Sequence, residues 1–130
     1  MNTAIKTIIL LVLDLASKKM ATLFFPNLVV YNKDMVFNLA SNDLIKFGAP
    51  LALIGFSLFT VSMLESKKSQ QWAYALVLAS FLGNYVGRFD SAGVVDFINL
   101  NYCVANLADI YGWISSVIVG IGLLKQFNQK

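Results

Sequence analysis

From Thr3 to Phe25 the chain is apolar apart from charged breaks at Lys6, Asp14 and the pair Lys18–Lys19. Three more apolar runs follow, at about 44–64, 72–86 and 106–124, the third being the shortest. Each approaches the ~20 residues that cross a bilayer. The pattern therefore predicts an all-α membrane protein with four transmembrane helices, at about 3–25, 44–64, 72–86 and 106–124, in one domain over 1–130. Lys6 before IILLVL resembles the core of a secretory leader. However, the run continues through acid and base to Phe25 with no small-x-small cleavage site after it, so a retained first helix is expected.

The segments between the runs differ in kind. ESKKSQQ at 65–71 is a polar turn and the tail KQFNQK is polar and basic. With an even number of spans, Lys6, the lysines of 65–71 and the tail lie on one side. The excess of lysine there makes that side cytoplasmic. Both termini are then cytoplasmic, and the connections 26–43 and 87–105 face outward. NLVVYNKDMVFNLA and GVVDFINLNY mix β-branched and aromatic residues with polar ones. This suits short strands or interface-lying loops, so a small extracytoplasmic β/loop platform on the bilayer surface is predicted.

Composition sharpens the class. Of 130 residues, 58% are hydrophobic and 13% charged, whereas a soluble domain is nearer half apolar and a quarter charged. The net charge of +3 comes from scattered lysines, which gives no basic stripe for nucleic acid. Cys103 is the only cysteine and there is no histidine. This removes intrachain disulfides, Cys-rich metal sites, Ser-His and Cys-His catalysis, and histidine-ligated zinc and haem. Carboxylates are left as the acid–base groups, and no cofactor or metal is expected.

A few residues are costly where they stand. Asp14 falls near mid-membrane, where a charge costs about 2.5–3.5 kcal/mol on the insertion scale. Lys18 lies one turn on, at i+4, so an internal ion pair and a brace beneath a polar site are both open readings. Asn106 and Asp109 open the last apolar run, where an N-cap and a first-turn acid are favoured by free amides and the helix dipole. Asp96, between VV and FI, is neither a cap nor an evident turn residue. Arg88, the only arginine, could anchor the third helix at the phosphate level.

Asp96 and Asp109 are the only charges in GVVDFINLNYCVANLAD, and neither has a basic neighbour in sequence. They make sense if they face each other at the outer surface and share a proton. One would then act as general base on water while the other protonates the substrate. The helix dipole favours an ionised Asp109 and a protonated Asp96.

These residues also carry a resemblance. DLASK at 14–18, YNKDMVF at 31–37, LGNYVGR at 82–88, GVVDFI at 93–98 and ANLAD at 105–109 resemble, in order, the motifs of the lipoprotein signal peptidase (signal peptidase II) family. The resemblance implies an aspartic endopeptidase with Asp96 and Asp109 as its catalytic dyad. It implies that Asn84, Arg88 and Asn106 surround the substrate while Asp14, Lys18 and Asn32 support the site. The implied reaction removes the signal peptide of a prolipoprotein before its diacylglyceryl-cysteine, in the bacterial cytoplasmic (inner) membrane near its outer face. The implied partners are prolipoproteins and membrane lipids, with the chain acting as a monomer.

Several positions depart from the family pattern. Its acid before the arginine is Gly87 here, its Asn-x-Gly glycine is Asp34, and its phenylalanine before Asn106 is Ala105. Ala79 and Ser80 replace paired glycines, and the segment between the aspartates is short. Asp90, two residues beyond Arg88, is expected to partner it in place of the missing acid. A silent relative that binds lipidated peptides or joins a membrane complex is the alternative function, with a small ion or proton carrier through Asp14 and Lys18 as a third.

Overall fold

A computed structural model describes residues 1–33, 48–89 and 92–129. Asp34, Phe37 and Asp90, with what was expected of them, lie outside these residues.

Helix α1, Thr3–Phe24, starts where Asn2 Oδ1 accepts from the Ile5 N–H at 2.9 Å, a side-chain N-cap. It stops just ahead of Pro26, which opens a 3-10 turn at Pro26–Leu28 and cannot continue a helix. The buried positions of α1 are Lys6, Thr7, Asp14, Lys18 and Ala21, whereas Ile8, Ile9, Val12 and Leu13 are exposed. Residues 7, 14, 18 and 21 repeat at helical spacing, so one face is buried, and that face is the polar one. An apolar exterior around a polar stripe is the arrangement lipid favours.

Helix α2 spans Ala49–Ser62, with proline in its first turn. Helix α3, Lys67–Gly87, begins at the Ser66 N-cap. It therefore takes in most of the polar segment read as a turn at 65–71, since Lys and Gln are good helix formers once a cap is supplied. Helix α4 spans Leu107–Phe127. Among the described residues α4 alone is both long and apolar enough to cross a membrane. α1 carries four charges, α3 opens on two lysines, and α2 has 14 residues.

α3 is the central helix, packed on α1, α2 and α4. Its buried positions include Ala73, Ala79 and Gly83, small residues that let neighbouring backbones approach. The Ser115 hydroxyl of α4 crosses that contact to donate to Ala73 O at 3.2 Å. Val61 and Leu64 pack against the same Ala73.

Four short strands lie within the connecting segments 26–43 and 87–105. β1, Val30–Asn32, pairs antiparallel with β2, Val94–Asp96, so that Val30 faces Asp96 and Asn32 faces Val94. β3, Ile98–Asn99, pairs with β4, Val104–Ala105. Gly93 enters β2 with φ +98°, and a Cβ there would meet Asn32 O at 2.6 Å. Only glycine suits both the left-handed backbone and that approach.

The molecule has two distinct ends. At one, Lys6 Nζ lies 4.4 Å from the Trp72 ring, and Gln126 of α4 donates to Met63 O beyond α2. The N-terminus, the α2–α3 turn and the end of α4 thus meet there. β1–β4 and the start of α4 form the other end.

Candidate active site

The start of α4 closes on itself. Asn106 Oδ1 accepts from the Asp109 N–H at 3.1 Å, and Asp109 Oδ2 accepts from the Asn106 N–H at 3.0 Å. This reciprocal pair is a capping box, which satisfies two backbone donors and fixes both side chains. The cap expected from Asn-x-x-Asp is therefore present. It leaves each side chain with capacity to spare, and that capacity points into the site.

Asn106 uses both hydrogens of its amide. Nδ2 donates to Asp96 Oδ1 at 2.6 Å and to Asn84 Oδ1 at 2.9 Å. Asn84 Oδ1 also accepts from Lys18 Nζ at 3.3 Å. Two donors on one oxygen identify it as the carbonyl of the amide. The Asn84 nitrogen must then face the other way, and it donates to Asp109 Oδ1 at 2.8 Å. Asn32, on β1, donates from Nδ2 to Asp96 Oδ2 at 3.2 Å. Both aspartates are thus held by asparagines, and Asn84 and Asn106 link one carboxylate to the other.

Beneath them lies the pair from α1. Lys18 Nζ is 2.7 Å from Asp14 Oδ2 and also donates to Gly83 O at 2.9 Å. Asp14, completely buried, turns Oδ1 to the Ala108 N–H of α4 at 2.9 Å. One carboxylate therefore neutralises a buried ammonium and caps a neighbouring helix. The ion pair uses Oδ2 and the helix contact uses Oδ1 of the same carboxylate. A Cβ on Gly83 would overlap Asp14 Oδ2 and come within 3.1 Å of the Ala108 Cβ. This is a backbone approach that the sequence reading did not single out, although Gly83 lies inside LGNYVGR.

Burial pushes the Asp96 carboxyl above the usual carboxylate range. The Asn106 and Asn32 amides act against this, while the nearby charge of Asp109 adds to it. The charges of Asp109 and Asp96 both act on the Arg88 guanidinium, and its burial works against its charged form. Its Nη1 is buried with no hydrogen-bond partner among the described residues. Gly87 lies so close to β2 that a Cβ would stand 3.3 Å from Val94 Cα.

Two cavities meet at Asn84, Arg88 and Asp109. The outer one, about 330 Å³, is bounded by Asn32, Asp96, Asn106, Cys103 and Trp113. Trp113 was missed by the sequence reading, although it stands one turn beyond Asp109 and shares its helix face. The inner cavity, about 550 Å³, runs between α2 and the α3–α4 pair.

Comparison with known proteins agrees along nearly the whole chain. A family model described as signal peptidase (SPase) II matches residues 3–125. The lipoprotein signal peptidase of Helicobacter pylori (strain HPAG1) is 30% identical over 108 residues, covering 78% of this chain and 67% of that protein. That of Helicobacter acinonychis (strain Sheeba) is 29% identical over the same extent. Among solved structures, a bacterial membrane enzyme determined by the in meso method at 2.3 Å resolution shares the fold. Its TM-score is 0.74 at 19% identity, covering 98% of this chain and 90% of that one. With a match that begins in the first turn of α1 and ends in the last turns of α4, the chain belongs to the signal peptidase II family, a family of bacterial membrane proteins.

Proposed function

We propose that this protein removes signal peptides from prolipoproteins as an aspartic endopeptidase, with Asp96 and Asp109 as its dyad. Family membership supports the reaction. The observation that carries the mechanism is the Asn84–Asn106 bridge, which ties the two carboxylates into one network. Asp109 takes a proton from water as the water oxygen attacks the scissile carbonyl carbon. Asp96, whose burial favours the protonated form, gives its proton to the carbonyl oxygen. As the tetrahedral intermediate collapses, the C–N bond before the diacylglyceryl-cysteine breaks, Asp109 gives the proton it took from water to the leaving amine, and a hydroxyl of the gem-diol returns a proton to Asp96.

Asn84, Arg88 and Asn106 surround the substrate in this reading, with Asp14, Lys18 and Asn32 holding the site. The chain crosses the bacterial inner membrane four times, with both termini cytoplasmic and the dyad at the outer face. The meeting of Lys6, the α2–α3 turn and the end of α4 at one end supports that topology.

The test is cleavage of a lipidated prolipoprotein by the purified protein, with the products identified by mass spectrometry. A mature fragment that starts at the lipid-modified cysteine is expected. Cleavage elsewhere, or of unmodified precursor equally well, contradicts the reading.

A further inference from the structure

Asp96 accepts from the Asn106 and Asn32 amides, and Asp109 from the Asn84 amide and the Asn106 backbone. With two N–H donors on each, the count does not say which carboxylate keeps a shared proton. The direction of the donors behind them does. Lys18 Nζ donates to Asn84 Oδ1 at 3.3 Å, and the same amide donates from Nδ2 to Asp109 Oδ1 at 2.8 Å. Donor follows donor head to tail, so the ammonium polarises the Asn84 amide and strengthens its bond to Asp109. The path to Asp96 is broken. It would pass through Asn106, but Asn106 Nδ2 itself donates to Asn84 Oδ1 at 2.9 Å, the oxygen that Lys18 already holds. Two donors on one oxygen compete and relay nothing to each other.

The ammonium is buried and fixed, its three hydrogens matched by Asp14 Oδ2, Gly83 O and Asn84 Oδ1. A neutral donor would brace Asn84 as well, without the desolvation that a buried ammonium and its counterion bring. What the ammonium adds is charge. Around the dyad, α1 contributes Lys18 and Asp14, α3 contributes Arg88, and α2 has no charged residue. Both oxygens of Asp14 are engaged, by Lys18 and by the Ala108 N–H. Arg88 leans the same way as Lys18, since the charge of Asp109 acts on it more strongly than that of Asp96. Lys18 also acts on Asp96, but more weakly than the charge of Asp109 does. Tyr85 and Cys103 on the cavity walls and Tyr111 near Asp14 are of kinds that ordinarily titrate above neutral pH.

We infer that Lys18 decides where the dyad's proton sits: its charge, carried through the Asn84 amide, keeps the negative charge on Asp109 and leaves the proton on Asp96. Lys18 touches no reacting atom, so it is a positioning residue, and it acts through charge as well as shape. The inference rests on the prolipoprotein-peptidase reading and adds to it the group that makes acid and base unequal.

Asp14→Asn combined with Lys18→Gln removes both charges yet still offers an acceptor to the Ala108 N–H and two N–H donors to Gly83 O and Asn84 Oδ1. Lys18→Arg keeps the charge and changes the shape. Asn84→Ala cuts the relay and leaves the ion pair in place. For each, kcat/KM on one lipidated prolipoprotein is measured against pH, where the acid limb reports ionisation of the dyad. In the neutral pair that limb should move up by about one pH unit, and the residual activity of Asn84→Ala should show a limb moved in the same direction. Lys18→Arg should keep the wild-type limb even where its rate is lower. A rate that falls by one factor at every pH in the neutral pair overturns the inference and makes Lys18 a brace alone. So does an unmoved limb in Asn84→Ala, or a limb in Lys18→Arg that moves as far as that of the neutral pair. Proton placement is read separately, by infrared spectroscopy in detergent near neutral pH. The C=O stretch of a protonated carboxyl should be present in wild type and absent from Asp96→Asn. Its absence from wild type, or its persistence in Asp96→Asn, also overturns the inference. If wild type cleaves no prolipoprotein, the peptidase reading fails and this inference falls with it, whereas normal cleavage with any contrary result above overturns the inference alone.

Discussion

Asp14→Ala removes two acceptors at once, that of Lys18 Nζ at 2.7 Å and that of the Ala108 N–H at 2.9 Å. Removing one partner of a buried ion pair costs about 3–5 kcal/mol, and an orphaned buried donor about 1–3 kcal/mol. Lys18 keeps Gly83 O and Asn84 Oδ1, so the sum falls toward the low end, ~4 kcal/mol. Against a total of about 5–15 kcal/mol that is a large fraction. Lys18→Met in the Asp14→Ala background removes the orphaned ammonium and should recover about 2 kcal/mol. Cleavage should not recover, because nothing then holds Asn84 Oδ1 from below, and Asn84 positions Asp109. The assay is denaturant unfolding of wild type, both single variants and the double variant in one detergent, alongside cleavage rates. A coupling energy below about 0.5 kcal/mol would refute the paired account. A double variant that cleaves at wild-type rate would refute the positioning role.

Other expectations follow from neighbouring geometry. Gly83→Ala drives a methyl into Asp14 and against Ala108; by the usual cost of overpacking it should lose about 1–3 kcal/mol and most activity, read by thermal unfolding and cleavage. Asp96 binds its proton more tightly in the fold than in the unfolded chain. Its stabilising contribution is therefore present at low pH and lost as pH rises through the raised folded value. Wild type should accordingly gain stability relative to Asp96→Asn as pH falls through that value, and a pH-independent difference in melting temperature would contradict this. Reporter fusions at the 65–71 segment and within 97–105 should report opposite sides of the membrane, and a shared side would end the four-span topology.

What the sequence made legible was periodic or local. The four apolar runs became α1–α4, and Asn-x-x-Asp became the capping box. VVYNK and GVVDFI supplied β1 and β2, although their register depends on Gly93 meeting Asn32 across a long sequence separation. The boundary of α3 was misplaced because hydropathy finds apolar residues, whereas Ser66 and the polar Lys67–Gln71 turn set the helix start. The i+4 contact of Asp14 with Lys18 was readable, but the bond from Asp14 to Ala108, 94 residues away, was not. Nor was the orientation of the Asn84 amide, which depends on donors from α1 and α4 together. Resemblance named these residues; only the assembled helices give each one a partner.

The central claim is that Asp96 and Asp109 act as one unit, and cleavage rates of Asp96→Asn, Asp109→Asn and the double variant test it most directly. With folding checked by thermal unfolding, each single variant should lose at least about 10²–10⁴-fold in kcat, the range of a positioned acid or base. The double variant should be scarcely slower than either, as expected for groups that work together. Cys103→Ser, at the rim of the outer cavity, should remain active. Near wild-type cleavage by either Asn variant, or losses that multiply in the double, would contradict the dyad.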